Sequence, residues 1–196
     1  MKNRNSKLTI GLAVMFELIL IVSGILSIAS REWENLFLIM LAMICLFLPF
    51  VITQVVKKKN IVLPSSFQII TLLFIILAQY FGEIKKFYQI FWWWDLLLHG
   101  IFGSYAVIIA LHLIRGIIRK DEGTSEERFA LFAITFSICF SIALGTIWEI
   151  FEFSGDYLLK TNMVKGGLVD TATDLLVKIS AASITSVIYY FRLLKT

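Results

Sequence analysis

Apolar runs of near-uniform length, broken by short polar connections, set the architecture of this chain. At about 20 residues for each crossing of a ~30 Å hydrocarbon core, the runs predict six membrane helices, at 8–30, 34–56, 64–82, 93–118, 126–153 and 169–191. The connections are short and carry no low-complexity or repeated segment, so residues 1–196 read as a single integral membrane domain of all-α class. The longest connection between spans four and five, RKDEGTSEER, has Gly123 as a turn and Thr124 with Glu127 as a capping box for the fifth helix. The connection between spans five and six, GDYLLKTNMVKGG, is either a solvated hairpin or a flap hinged at Gly166 and Gly167.

The polar positions inside the spans are distributed unequally. Glu17 is the one ionisable residue deep in the first span, and spans two and three carry almost no charge. Span four opens within WWWDLLLHG, span five ends within WEIFEFSGD, and span six opens with VDTATDLLVK. Asp95 and His99 are four apart, Glu149, Glu152 and Asp156 follow an i, i+3, i+7 pattern, and Asp170, Asp174 and Lys178 step by four. Residues so spaced share one helix face. Each of the last three spans therefore has a polar stripe, and ionisable groups at membrane depth are costly enough to count as functional candidates.

Composition supports the membrane reading. The chain is 59% hydrophobic, 14% aromatic and 16% charged, too little charge to cover a soluble domain. A net charge of +4 raises the question of nucleic acid, but the basic residues cluster at span ends, where they act as topology signals. With the amino terminus inside, cytoplasmic segments hold twelve basic residues (Lys2, Arg4, Lys7, Lys57, Lys58, Lys59, Arg115, Arg119, Lys120, Arg128, Arg192 and Lys195). External segments hold five: Arg31, Lys85, Lys86, Lys160 and Lys165. Both termini are expected in the cytoplasm of a cell whose plasma membrane the chain crosses. The basic start and Ser27-Ile28-Ala29 imitate a signal peptide, yet the apolar run is too long for one, and an uncleaved anchor is the better reading. Cys45 and Cys139 fall near mid-span, which gives a disulfide framework no support.

Topology then gathers the stripes. With helix four running inward, five outward and six inward, all these residues lie within about 15 Å of the external interface at 1.5 Å rise per residue. Asp95, Glu149, Glu152 and Asp174 would carry four negative charges against Lys178 and His99, with Asp156 and Asp170 at the mouth. Such an excess is relieved by protons, by water or by a bound cation. Carboxylates with one imidazole suit Mg, Mn or Zn, with Asp95, His99, Glu149 and Asp174 as candidate ligands. Capping is the alternative for Asp95 and Asp170, and Lys178 is expected to pair with Asp174 or Glu149. Gly100, Gly103 and Gly145 allow close helix approach.

These residues also carry a family resemblance. WDLLLHGIFG, WEIFEFSGD and DTATDLL, in this order over roughly residues 60–185, resemble the YjdF family of uncharacterised bacterial multi-pass inner-membrane proteins. More distantly, the order of these acidic and histidine residues is similar to VanZ-like membrane proteins. The resemblance implies Asp95, His99, Glu149, Glu152, Asp156, Asp170 and Asp174 as the family's positions, and implies no established activity. Where the family pattern favours asparagine followed by a small Gly-Ala step, this chain has Lys178 and Ala181-Ala182.

Three function classes follow. One is an enzyme acting on a lipid or lipid-linked envelope precursor, with Asp95, His99, Glu149, Glu152 and Asp174 as catalytic candidates and Lys178, Asp156 and Asp170 facing substrate. The second is a non-catalytic packing or sensing factor. The third is a proton- or cation-coupled transporter, which needs a polar route inward through the apolar lower halves of spans four and six.

Overall fold

Each apolar run winds into helix because a chain in lipid must satisfy its own backbone hydrogen bonds. The computed structural model describes residues 2–118, 121–159, 163–164 and 166–193, the side chains of 2–6, 159 and 193 excepted. Of the topology-setting basic residues, Arg119, Lys120, Lys160, Lys165 and Lys195 lie outside the described residues, as do the side chains of Lys2 and Arg4 and positions 160–162 and 165 of the expected flap. Among the described residues there are seven helices and no strand, and six of the helical stretches are long and apolar enough to cross a membrane. The chain divides into two compact units, 1–94 and 95–196.

The first unit comprises α1 (Lys2–Ala29), α2 (Trp33–Lys58), α3 (Phe67–Ile75) and the short α4 (Phe87–Ile90). Two of its helices end in the same way. After α1, Glu32 N–H bonds Ser27 C=O at 2.9 Å and Arg31 N–H bonds Ile28 C=O at 3.2 Å, with Arg31 at φ 59°. After α2, Ile61 N–H bonds Val56 C=O and Asn60 N–H bonds Lys57 C=O, both at 3.1 Å, with Asn60 at φ 56°. Both are Schellman caps, which occupy carbonyls that the helix leaves unbonded. Leu20, Ile39, Ala42, Leu46, Leu72 and Ile76 form the core of this unit. Beyond Ile75 the third span widens into a π-helical stretch, Ile76–Ile84, which closes with Lys85 N–H on Tyr80 C=O at 2.9 Å. The Tyr88 ring lies against Gly82, where a Cβ would come within 2.2 Å of it.

The second unit holds α5 (Trp94–Ile117, its first residue belonging to the preceding unit), α6 (Glu126–Leu159) and α7 (Leu168–Leu193). The fifth span was expected to stop at Phe153. Helical bonding instead continues through Gly155 to Leu159, because the end of the apolar run limits the membrane crossing and not the helix. The cap is shifted as well: Ser125, not Thr124, accepts the Arg128 N–H on its Oγ at 3.3 Å. With Arg128 three residues on, no capping box forms. The buried line of α6 is Ala130, Ala133, Ser137, Ser141, Gly145 and Glu149, and that of α7 is Asp174, Lys178, Ala182 and Ser186. Small side chains on these lines let the helices approach closely. Against them α5 contributes Val107, Leu111 and Ile114. Cys45 and Cys139 are free thiols, the first half-buried and the second exposed.

Candidate functional site

The polar stripes of the second unit meet around one imidazole. His99 is 6% exposed, and its two nitrogens face carboxylates on opposite sides. Nε2 lies 3.2 Å from Asp95 Oδ1, one turn earlier on α5, and 3.5 Å from Asp174 Oδ2 on α7. Nδ1 lies 3.9 Å from Glu149 Oε1 on α6. Asp95, His99 and Asp174 each offer a ligand atom, and these atoms all fall within 4.8 Å of one another. Asp174 is 2% exposed, and its Oδ1 has no hydrogen-bond partner among the described residues. Asp95 is 31% exposed and forms the accessible side of the cluster.

Glu149 has a second partner. Lys178, itself 2% exposed, directs Nζ onto Glu149 Oε1 in a close ion pair, with Gly145 C=O at 3.4 Å. Of the two partners expected for this lysine, Glu149 is the one it meets. The local sequence makes the burial possible. A Cβ at Gly145 would lie 2.8 Å from Lys178 Cδ, and one at Gly103 would lie 2.7 Å from the Lys178 carbonyl oxygen. Gly103 thus lets α5 lie against the α7 backbone, whereas Gly145 makes room for the lysine stem. Ser141 Oγ donates to Gly103 C=O at 2.9 Å and ties α6 to α5 at this level. Gly100 meets only an ordinary contact, 3.5 Å from Val177 Cγ1.

The remaining candidates are placed around this centre. Glu152 is half-buried, feels the charges of Glu149, His99 and Asp95, and accepts a hydrogen bond from Trp148 Nε1 at 2.8 Å. Asp156 accepts the backbone N–H groups of Met163 and Val164 at 2.8 and 2.9 Å, so its carboxylate fastens the segment that follows α6. Asp170 lies in the first turn of α7 beside Gly166, where a Cβ would sit 2.8 Å from Asp170 Cβ, and Gly167 takes φ 62°. Glu17 belongs to the first unit, where its Oε1 is buried without a hydrogen-bond partner. Sequence reasoning overlooked Ser137, Ser141 and Ser186, all buried on the lines that carry Glu149 and Lys178. Their four-residue spacing from Gly145 and Ala182 was the available signal.

Chemically, the three carboxylates nearest His99 (Asp95, Glu149 and Asp174) outnumber the one ammonium, Lys178, by two, and half-buried Glu152 adds a fourth carboxylate beside them. One divalent cation would offset the excess of the inner three. Two carboxylates and an imidazole form a hard-to-borderline donor set that suits Mg, Mn or Zn, and Asp95, His99 and Asp174 are the residues that would hold the ion.

A protein from Thermotoga maritima described as "Uncharacterized protein" is 25% identical over 130 residues, which span 66% of this chain and 63% of that protein. No solved structure matches the chain. Over residues 9–195 the sequence matches the family described as "Predicted membrane protein (DUF2238)", the YjdF family that the three motifs resemble. The chain belongs to this family of uncharacterised membrane proteins.

Proposed function

We propose that the protein holds one divalent cation on Asp95, His99 and Asp174 and uses it in chemistry on a lipid or lipid-linked envelope precursor. The substrate reaches the site from the outer leaflet of a bacterial plasma membrane, and both termini are cytoplasmic. The observation that carries this reading is Asp174: an almost fully buried carboxylate whose Oδ1 lacks a partner, set against an imidazole and a second carboxylate. A buried carboxylate oxygen without a partner is unfavourable, and a cation at this point would supply both charge and coordination. The ion would polarise a phosphoryl or carbonyl oxygen of the precursor. Asp95, the most exposed of the three ligands, marks the side from which substrate arrives. Glu152, next to the cluster, would accept or donate a proton in this chemistry. The Lys178 ammonium is engaged by Glu149, which supports a counter-charge role over contact with a headgroup.

Metal analysis and native mass spectrometry of lipids on the purified protein test the proposal. About one Mg, Mn or Zn per chain is expected, lost in Asp174→Asn and His99→Ala variants that still fold, together with a changed population of bound lipid. Folded wild-type protein that takes up none of these ions refutes it. A packing role is the second reading, favoured by the Lys178–Glu149 pair and the close approach at Gly103. It predicts that neutral replacements of Asp95 and Asp174 lower thermal stability and leave every cellular phenotype intact.

A further inference from the structure

We infer that His99 binds the cation through Nε2 and that Glu149 is the positioning residue that holds the ring in that orientation, with Lys178 as its fixed counter-charge. The inference rests on the cation site proposed above and assigns the part of each remaining charge around it. An imidazole gives one lone pair to a metal while its other nitrogen keeps a proton and donates it to an acceptor, commonly a carboxylate. The two sides of His99 are not equivalent. Nε2 faces two carboxylates, Asp95 Oδ1 at 3.2 Å and Asp174 Oδ2 at 3.5 Å. Nδ1 faces one, Glu149 Oε1 at 3.9 Å, and that oxygen already carries the Lys178 ammonium.

A divalent ion at Glu149 Oε1 would therefore sit beside a like charge in a low-dielectric interior, where repulsion is weakly screened. On the Nε2 side no ammonium competes, and Asp174 Oδ1 is still without a partner. The ion belongs there, and the proton belongs on Nδ1, directed at Glu149. Lys178 makes the division permanent, because it cannot leave: its stem fills the space opened by Gly145, and its backbone lies against Gly103. Glu149 is thereby removed from the ligand set and left 3.9 Å from Nδ1, as the carboxylate that a small turn of the ring brings within reach of its proton. The centre takes one cation and not two.

The chain has two histidines, His99 and His112. Full-length protein labelled with 15N-histidine in lipid nanodiscs thus gives two imidazole spin systems, assigned with a His112→Gln variant. On adding Zn2+, the His99 Nε2 resonance is expected to move to a metal-bound position while Nδ1 keeps its proton. Zinc on Nδ1, with the proton on Nε2, overturns the inference and leaves the cation site standing. No response from either His99 nitrogen overturns both. The positioning role is read separately from zinc affinity. The double variant Glu149→Ala/Lys178→Met removes the acceptor without stranding an opposite charge, and is expected to bind zinc roughly 10- to 100-fold more weakly. Glu149→Gln/Lys178→Met retains an acceptor for the Nδ1 proton, also without stranding a charge, and is expected to stay within about threefold of wild type. Unchanged affinity in the Glu149→Ala/Lys178→Met variant overturns the positioning role, whatever its thermal stability.

Discussion

In residues 1–94 the buried set is dominated by Leu20, Ile39, Leu46, Leu72 and Ile76, whereas residues 95–196 bury His99, Glu149, Asp174 and Lys178 among alanines, serines and glycines, beside a smaller aliphatic cluster of Val107, Leu111 and Ile114. Each unit holds three helical stretches long and apolar enough to cross a membrane, so the capacity to span does not distinguish them. They differ in what fills the space between helices. Large aliphatic side chains hold the first unit together by dispersion contacts, which many residues can supply. Small residues in the second bring backbones close, and a polar network joins the Val107, Leu111 and Ile114 cluster in completing the packing. A network of this kind is stable only when every member is satisfied, so the second unit should be intolerant of single changes and tolerant of matched ones.

The largest expected effect tests that contrast directly. Lys178→Ala or Glu149→Ala alone leaves an unpaired buried charge and should cost about 3–5 kcal/mol, seen as loss of folded protein on size exclusion in detergent. The double change Glu149→Leu/Lys178→Met should recover most of the loss. If the single changes are harmless, the pair is not the packing element described above. In the first unit, Leu72→Ala should cost about 2 kcal/mol, near the lower end for such truncations, because lipid solvates leucine as well as the core does. Its zinc binding should equal that of wild type, and a matching fall in zinc affinity would show that the two units are not independent in this respect.

Much of this division was legible in the sequence, for identifiable reasons. Helix number and position follow from the length of apolar runs, and a polar stripe follows from four-residue spacing, as at Asp95 and His99 or Asp174 and Lys178. Partner choice was not legible. Asp174 and Glu149 were equivalent candidates for Lys178, since spacing along one helix carries no information on the rotation of the next. Nor does spacing tell which candidate ligands share one side of His99: Glu149 Oε1 lies by Nδ1 and the lysine, whereas Asp95, His99 and Asp174 bring ligand atoms within 4.8 Å of one another. Asp156 accepts the Met163 and Val164 N–H groups, a loop contact that helical periodicity does not encode. The π winding of 76–84 left no pattern beyond Gly82, whose missing side chain is needed only once Tyr88 folds back onto it.

Glycines give a finer test of the comparison. Gly103→Ala places a methyl 2.7 Å from the Lys178 carbonyl oxygen, a backbone atom that cannot rotate away. Overpacking of this kind should cost about 1–3 kcal/mol, measured as a lowered midpoint in thermal unfolding. At Gly24 in the first unit the nearest atom to an added Cβ is Ile39 Cγ2 at 3.7 Å, an ordinary contact, and Gly24→Ala should be neutral or slightly stabilising.

The smallest expected effect concerns Ser141. Its hydroxyl donates to Gly103 C=O across the α6–α5 contact at 2.9 Å, while neighbouring Ser137 bonds its own helix at Ala133 C=O, 2.7 Å away. Hydrogen bonds between membrane helices average only about 0.6 kcal/mol, because each partner finds substitutes when the helices separate. Ser141→Ala should therefore lower stability by about that amount, and Ser137→Ala by less, since its bond is retained when α5 and α6 part. Equal effects would mean that Ser141 serves as a small residue and not as a tie. A larger loss for Ser141, with zinc affinity falling in step, would mean that the Gly103 carbonyl sets the height of Lys178 and through it the orientation of Glu149.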